Sequence, residues 1–219
     1  PKGHKYIVSF EWEQVPTWTY RVGGVLLRKE LSFDTSIHRI YVRYTLLDAH
    51  SETTLRLRPF LAFRSVRQWT HENNVANKSY DEVENGIRMC LYQGYPDLYM
   101  QTSKVNDWHY CPDWYRGMDY PKERERGYNA TEDLLVPGYF EMPIKKGESI
   151  VFSAGITPIE AKEINALMEK EISQIDHRDS FYHCLVNAAH QFRVNKDNES
   201  YILAGYPWFK PRARDTFIS

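Results

Sequence analysis

A chain of 219 residues with 42% hydrophobic and 26% charged residues is long and apolar enough to bury a core, which excludes an intrinsically disordered polymer. Its formal net charge is -1, from 28 basic and 29 acidic residues, so it carries no electrostatic footprint for nucleic acid or for an anionic membrane surface. Cys90, Cys111 and Cys184 form no CxxC pair and read as reduced thiols of a cytoplasmic protein, and no apolar run approaches the roughly 20 residues of a membrane helix.

Residues 6–63 read as consecutive strands, because apolar and polar residues alternate with a period of two. Tyr6, Val8, Phe10 and Trp12 share one face. Ile40, Val42, Tyr44 and Leu46 share another, with Arg39, Arg43 and Thr45 opposite, and Leu55 and Leu57 alternate with Arg56 and Arg58. Gly23-Gly24 predicts a hairpin turn between the segments on either side. Such alternation predicts antiparallel sheets with one face in a core and the other in water. Residues 68–84 are polar, carry Trp69, His71, Glu72, Asn73 and Asn74, and are too long for a tight turn. Strands resume at 86–93 and 98–102, an aromatic and charged passage covers 108–128, and strands at 138–144 and 148–154 are joined by Lys145-Lys146-Gly147.

At Thr157 the period changes. Thr157-Pro158-Ile159-Glu160 places a capping threonine, a proline at the first helical position and a glutamate three residues after the cap, which predicts a helix start. Ile164, Leu167, Met168, Ile172 and Ile175 fall on one helical stripe, and Phe181, Cys184, Leu185, Ala188 and Phe192 fall on a second. These apolar faces require a surface to cover. The segment 201–209 is apolar and aromatic, and Arg212, Arg214 and Asp215 follow it before Phe217-Ile218. A terminus of that kind is expected of an interior piece of a longer protein.

Ala204-Gly205-Tyr206-Pro207-Trp208-Phe209 followed by Arg214-Asp215-Thr216 resembles the opening motif of the catalytic domain in bacterial and archaeal glycogen debranching enzymes, the amylo-α-1,6-glucosidase family. Arg56-Leu57-Arg58-Pro59-Phe60 with Arg64, Glu123-Arg124-Glu125-Arg126-Gly127, and Glu132-Asp133-Leu134 with Pro137-Gly138 resemble that family's N-terminal domain. The pattern departs at Arg212-Ala213, where the family motif has Trp-Gly before the Arg-Asp pair. The resemblance implies a mainly β protein: an antiparallel β-supersandwich over 1–156, begun upstream, two linker α-helices over 157–196, and the start of a truncated (α/α)6 barrel over 197–219. The implied activity is inverting hydrolysis of α-1,6-linked glucose at branch points of glycogen or limit dextrin. The two carboxyl groups this needs would lie downstream of Ser219, so no catalytic residue is expected in the chain itself. The implied partners are an α-glucan and the chain's own downstream catalytic domain, with no cofactor.

Arg214 and Asp215 beside Trp208 suit the floor of a glucose subsite, where an aspartate accepts from sugar hydroxyls and an arginine donates. The alternative is a surface ion pair of little energetic weight. Aromatic residues make up 15% of the chain, which suits both sugar stacking and pleated sheets. Trp108 and Trp114, with His109, Tyr110 and Tyr115, are accordingly either a stacking platform for an α-glucan or packing. His71, Glu72 and Asn73 either project toward the implied barrel or anchor their loop. Glu123 to Arg126 read as a solvated, salt-bridged loop. His109 and Cys111 supply two ligands at most, so no metal is expected. Three functions follow: a non-catalytic region of a debranching enzyme, a stand-alone α-glucan-binding module, or a purely structural sandwich.

Overall fold

The computed structural model describes residues 2–66, 68–196, 199–205, 209 and 212–218. They divide into two compact units, Pro1–Glu11 with Pro16–Glu171, and Trp12–Val15 with Ile172–Ser219.

The first unit is built from β1 (Ile7–Trp12), β2 (Pro16–Val22), β3 (Val25–Asp34), β4 (Arg39–Asp48), β5 (Thr53–Leu57), β6 (Asp81–Val83), β7 (Gly86–Met89), β8 (Leu98–Thr102), β9 (Asp107–Asp119), a short α1 (Pro121–Glu125), β10 (Thr131–Ile144), β11 (Ser149–Gly155) and most of α2 (Ile164–Ser173). It is mainly β and antiparallel. One sheet has eight strands in the order β1-β2-β3-β4-β11-β8-β7-β6, and a second has three in the order β5-β10-β9. Gly23 and Gly24, at φ 54° and 84°, close the expected β2–β3 hairpin with Val22 opposite Val25. Two successive left-handed positions match the right-handed twist of the flanking strands, and glycine adopts them without strain.

The sheets pack face to face over one core, in which Leu46, Ile87, Met100 and Ile150 of the large sheet meet Leu55, Leu135, Phe140 and Met142 of the small one. The small sheet covers only part of its partner. Val8 and Phe10 of β1 share a face as the alternation predicts, yet stay 55% and 52% exposed.

The far side of the large sheet departs from expectation. The face of β4 that carries Arg39, Arg43 and Thr45 is not wet: Arg39 and Tyr41 are fully buried, as are Ile164 and Met168 of α2. The guanidinium of Arg39 donates through Nη1 to Ser153 Oγ at 2.7 Å and through Nη2 to the carbonyl of Thr157, while Arg43 pairs with Glu30 at 2.8 Å and with Glu169 of α2. These contacts also explain why the helix does not start at Thr157. Gln101 Nε2 donates to the Ile159 carbonyl at 2.8 Å and the Ala161 amide donates to Glu84 at 2.9 Å. Residues 157–160 therefore spend their backbone groups on the sheet, and the chain turns through a 3-10 segment (Ala161–Glu163) before α2 begins. Tertiary hydrogen bonds outweigh the local capping signal here.

The second unit holds the end of α2, α3 (Phe181–Phe192), a hairpin of β12 (Arg193–Lys196) and β13 (Glu199–Ile202), and α4 (Ala213–Ile218). Gln14 Nε2 bonds the carbonyls of Ile172 and Ile175 at 3.2 and 2.8 Å, and the Arg178 guanidinium lies 4.8 Å from the centre of the Trp12 ring. Ser180 caps α3 by accepting from the His183 amide at 3.1 Å. The apolar stripe of α3 is open, with Phe181 80% and Leu185 52% exposed.

Candidate functional site

The aromatic and charged passage 108–128, to which the sequence pattern assigns no element, is mostly the 13-residue strand β9, which forms a long bulged hairpin with β10. Register shifts between Glu132 and Leu134 and between Val136 and Gly138 break the alternation that would reveal a strand. At Gly138 a Cβ would sit 2.1 Å from the carbonyl oxygen of His109, so only glycine permits the two backbones to approach.

The outer face of β5-β10-β9 carries an ordered stack. The register sets Tyr139 opposite His109 and Glu141 opposite Arg56. The His109 and Tyr139 rings stack at 4.6 Å and 18°. The Arg56 guanidinium lies 4.4 Å from the Tyr139 centroid and donates to Glu141 at 2.7 Å. Arg58 lies 5.5 Å from the same ring and donates through Nη1 to the Tyr115 hydroxyl at 2.6 Å, while the Phe60 ring meets Tyr115 edge-on at 4.7 Å. Beside this stack opens a cleft of about 540 Å³, lined among others by Arg58, Cys111, Asp113, Trp114, Tyr115 and Arg116.

A buried clasp holds the neighbouring loop. Glu132 is fully buried and accepts both nitrogens of a forked Arg64 contact, at 2.6 and 3.0 Å, together with the Tyr120 hydroxyl. Desolvation pushes the Glu132 carboxyl up, but the hydrogen bonds from Arg64 and Tyr120 more than offset it and hold the group below the usual carboxylate range. Trp69 stacks on Tyr120 at 5.0 Å and lies 4.7 Å from the Arg64 guanidinium. Asp133 accepts the amides of Glu72 and Gly117 at 2.9 and 2.8 Å, and Glu72 in turn holds Arg116. Asn73 donates to the Tyr92 hydroxyl at 2.9 Å. Glu72 and Asn73 thus spend their polar groups anchoring the loop.

The backbone amides of Glu72 and Gly117, with His71 3.5 Å away, hold the Asp133 carboxyl below its ordinary value. Its contribution to stability is therefore present above the unfolded pKa of about 3.9 and is lost as pH falls through the lower folded value. Asp133→Ala should speed amide hydrogen exchange at residues 70–73 by about tenfold or more, because two charge-assisted hydrogen bonds disappear. Unchanged exchange there, measured by mass spectrometry, would refute the anchoring role.

Residues 1–151 match the family described as glycogen debranching enzyme, N terminal. The chain belongs to that family. Among solved structures, this debranching-enzyme N-terminal chain is similar to a bacterial glucoamylase complexed with acarbose, at 11% identity and a TM-score of 0.44, over 89% of the present chain and 30% of the glucoamylase. It thus spans less than a third of that protein's length. No curated protein matches it.

Part of the motifs that carried the resemblance in this debranching-enzyme domain falls on the two features just described, Arg56, Arg58 and Phe60 on the outer stack and Arg64, Glu132 and Asp133 on the clasp, whereas the 123–127 motif lies on α1 and the turn after it and the 204–216 motif belongs to the second unit. Trp108 and Trp114 lie opposite the inward-facing Phe140 and Leu135 in the register. The Trp108 ring is 4.6 Å from that of Phe140, and Trp114 is 4% exposed in the core while still lining the cleft. Arg214 is exposed on α4 in the second unit, the side chain of Asp215 lies outside what is described, and Trp208 lies outside the described residues. Among the described residues no group of three or more His, Cys, Asp or Glu side chains is arranged to hold a metal, and no helix is long and apolar enough to cross a membrane. The role of Tyr139 was not evident from sequence. Its signal lay in the Arg56/Arg58 alternation, which marks the outward face of β5 but not the aromatic partner on the next strand.

Proposed function

We propose that this chain is the non-catalytic N-terminal region of a cytoplasmic glycogen debranching enzyme, a glycoside hydrolase that cleaves α-1,6 branch points of glycogen or limit dextrin. The family match over residues 1–151 carries this reading. Residues 1–156 form its β-sandwich, 157–196 its linker helices, and 197–219 the first segment of an (α/α)6 catalytic domain. Trp208, Arg214 and Asp215 belong to a glucose subsite that the downstream domain completes, with Asp215 accepting from sugar hydroxyls and Arg214 donating. Inversion needs an acid and a base about 6.5–9.5 Å apart so that water fits between them. Both lie downstream of Ser219, and the chain itself shapes or binds. On this reading the 219-residue chain releases no glucose from limit dextrin, whereas the full-length enzyme does. Glucose release by the chain alone at a comparable rate, followed by a coupled glucose assay, would overturn it.

A second reading, an α-glucan-binding module, is favoured by the position of Trp114 in the wall of the outer cleft. Trp114 then backs the sugar site, with Trp108 behind it on Phe140 of the core.

A further inference from the structure

We infer that the cleft between Arg58 and Asp113 on the outer face of the three-stranded sheet is a binding subsite for a neutral saccharide, one or two hexose units of an oligosaccharide. The identification of that saccharide as an α-glucan rests on the function proposed above. The site itself rests on geometry.

Its volume of about 540 Å³ falls within the range typical of small-molecule clefts, about 300–1,000 Å³. The lining offers what a polyol requires and an anion or a hydrocarbon does not. Among the described residues Arg58 makes no ion pair; a single nitrogen is committed, to Tyr115, and its other donors are available. Asp113, 70% exposed at its side chain, places a carboxylate in the same cleft, 3.9 Å from Arg116. Arg116 is itself matched by Glu72. A guanidinium, a carboxylate and a matched ion pair present donors and acceptors together, which suits hydroxyls that both give and accept hydrogen bonds. An anion would meet the Asp113 charge, and an apolar ligand would strand Arg58 without water. Tyr115 lines the cleft, and its ring is the aromatic group that can take the C–H face of a pyranose there.

The site is also ordered before any ligand arrives. Arg58 is held over the Tyr139 ring, Tyr115 is fixed by Arg58 and the edge of Phe60, and the His109–Tyr139–Arg56 stack behind them is closed by Glu141. Side chains immobilised in advance spare the ligand the entropy of ordering them.

Titration of the chain with maltoheptaose, followed by calorimetry and by tryptophan fluorescence, should show saturable binding. Arg58→Met and Asp113→Asn should each weaken it by about tenfold or more, as expected for loss of a charge-assisted hydrogen bond. Circular dichroism should be unchanged, and the exposed Asp113 carries the test should Arg58→Met fold poorly. Absence of saturable binding overturns the subsite, as does binding that both folded variants retain. Inorganic phosphate is the anion probe: phosphate that competes with maltoheptaose and is lost in Arg58→Met also overturns it. Maltoheptaose binding to the chain and glucose release by the full-length enzyme are separate readouts. A debranching enzyme whose N-terminal chain binds no maltoheptaose defeats only this subsite; saccharide binding in a protein without debranching activity defeats only the proposed function.

Discussion

Replacing Arg64 with methionine should lower the stability of the β-sandwich by about 3–5 kcal/mol, because it leaves Glu132 buried without its charged partner. Glu132 is fully buried, and its side chain is 1% exposed against 17% for Arg64, so water does not replace the lost contact. The hydroxyl of Tyr120 and the backbone amide of Thr70 remain, but two neutral donors do not offset a buried carboxylate. The sign of the pH dependence tests the mechanism. In the native protein the depressed Glu132 pKa contributes stability that is present above the unfolded value of about 4.3 and is lost as pH falls through the folded value. Without Arg64 the carboxyl is pushed up by burial, so the variant is relieved of its penalty as the group protonates. The difference in urea midpoint between the two proteins should therefore shrink from about pH 7 to about pH 4. A gap that stays constant with pH would show that Arg64 acts through packing on Trp69 alone. Removing both charges together, as Arg64→Met with Glu132→Leu, should recover much of the loss.

Phe140→Ala should cost about 3–5 kcal/mol through a different route, the cavity left at the centre of the sandwich. Phe140 is fully buried, with Trp108 at 4.6 Å and Phe152 at 5.8 Å between ring centres, and it stands where the two sheets meet. Neither neighbour can collapse freely. Trp108 is held by the β9–β10 register and by Tyr80 at 5.8 Å, and Phe152 by its pairing with β4 and β8. Thermal and urea unfolding should both report the loss, with the near-ultraviolet signal of the tryptophans weakened. A cost below about 1 kcal/mol would mean that the core repacks around the missing ring.

Much of the candidate site was legible only as residue types. The alternation of Arg56 and Arg58 with Leu55 and Leu57 placed two arginines on one face, and the aromatic passage after Trp108 announced stacking of some kind. Which rings face out was not readable, because two bulges in the β9–β10 hairpin shift the alternation. Trp108 and Trp114 lie on the inner side of the register, while Tyr115, Tyr139 and His109 build the outer face. Arg64 and Glu132 are 68 positions apart, and nothing local to either residue names the other.

Local patterning suffices for the strands of the first half, the Gly23-Gly24 hairpin and the apolar stripe of α2, since each depends on neighbours within a few residues and on a fixed period. Which faces are covered follows only from the assembled chain. The polar side of β4 is buried because α2 lies over it, and the apolar side of β1 is open because the three-stranded sheet does not reach that far. Tertiary contacts also move the start of α2, because residues 157–160 satisfy their backbone groups through Arg39 and Gln101 rather than through a helical turn. Burial and hydrogen-bond satisfaction are properties of the assembled chain, and local periodicity carries no information about what will be laid against a face.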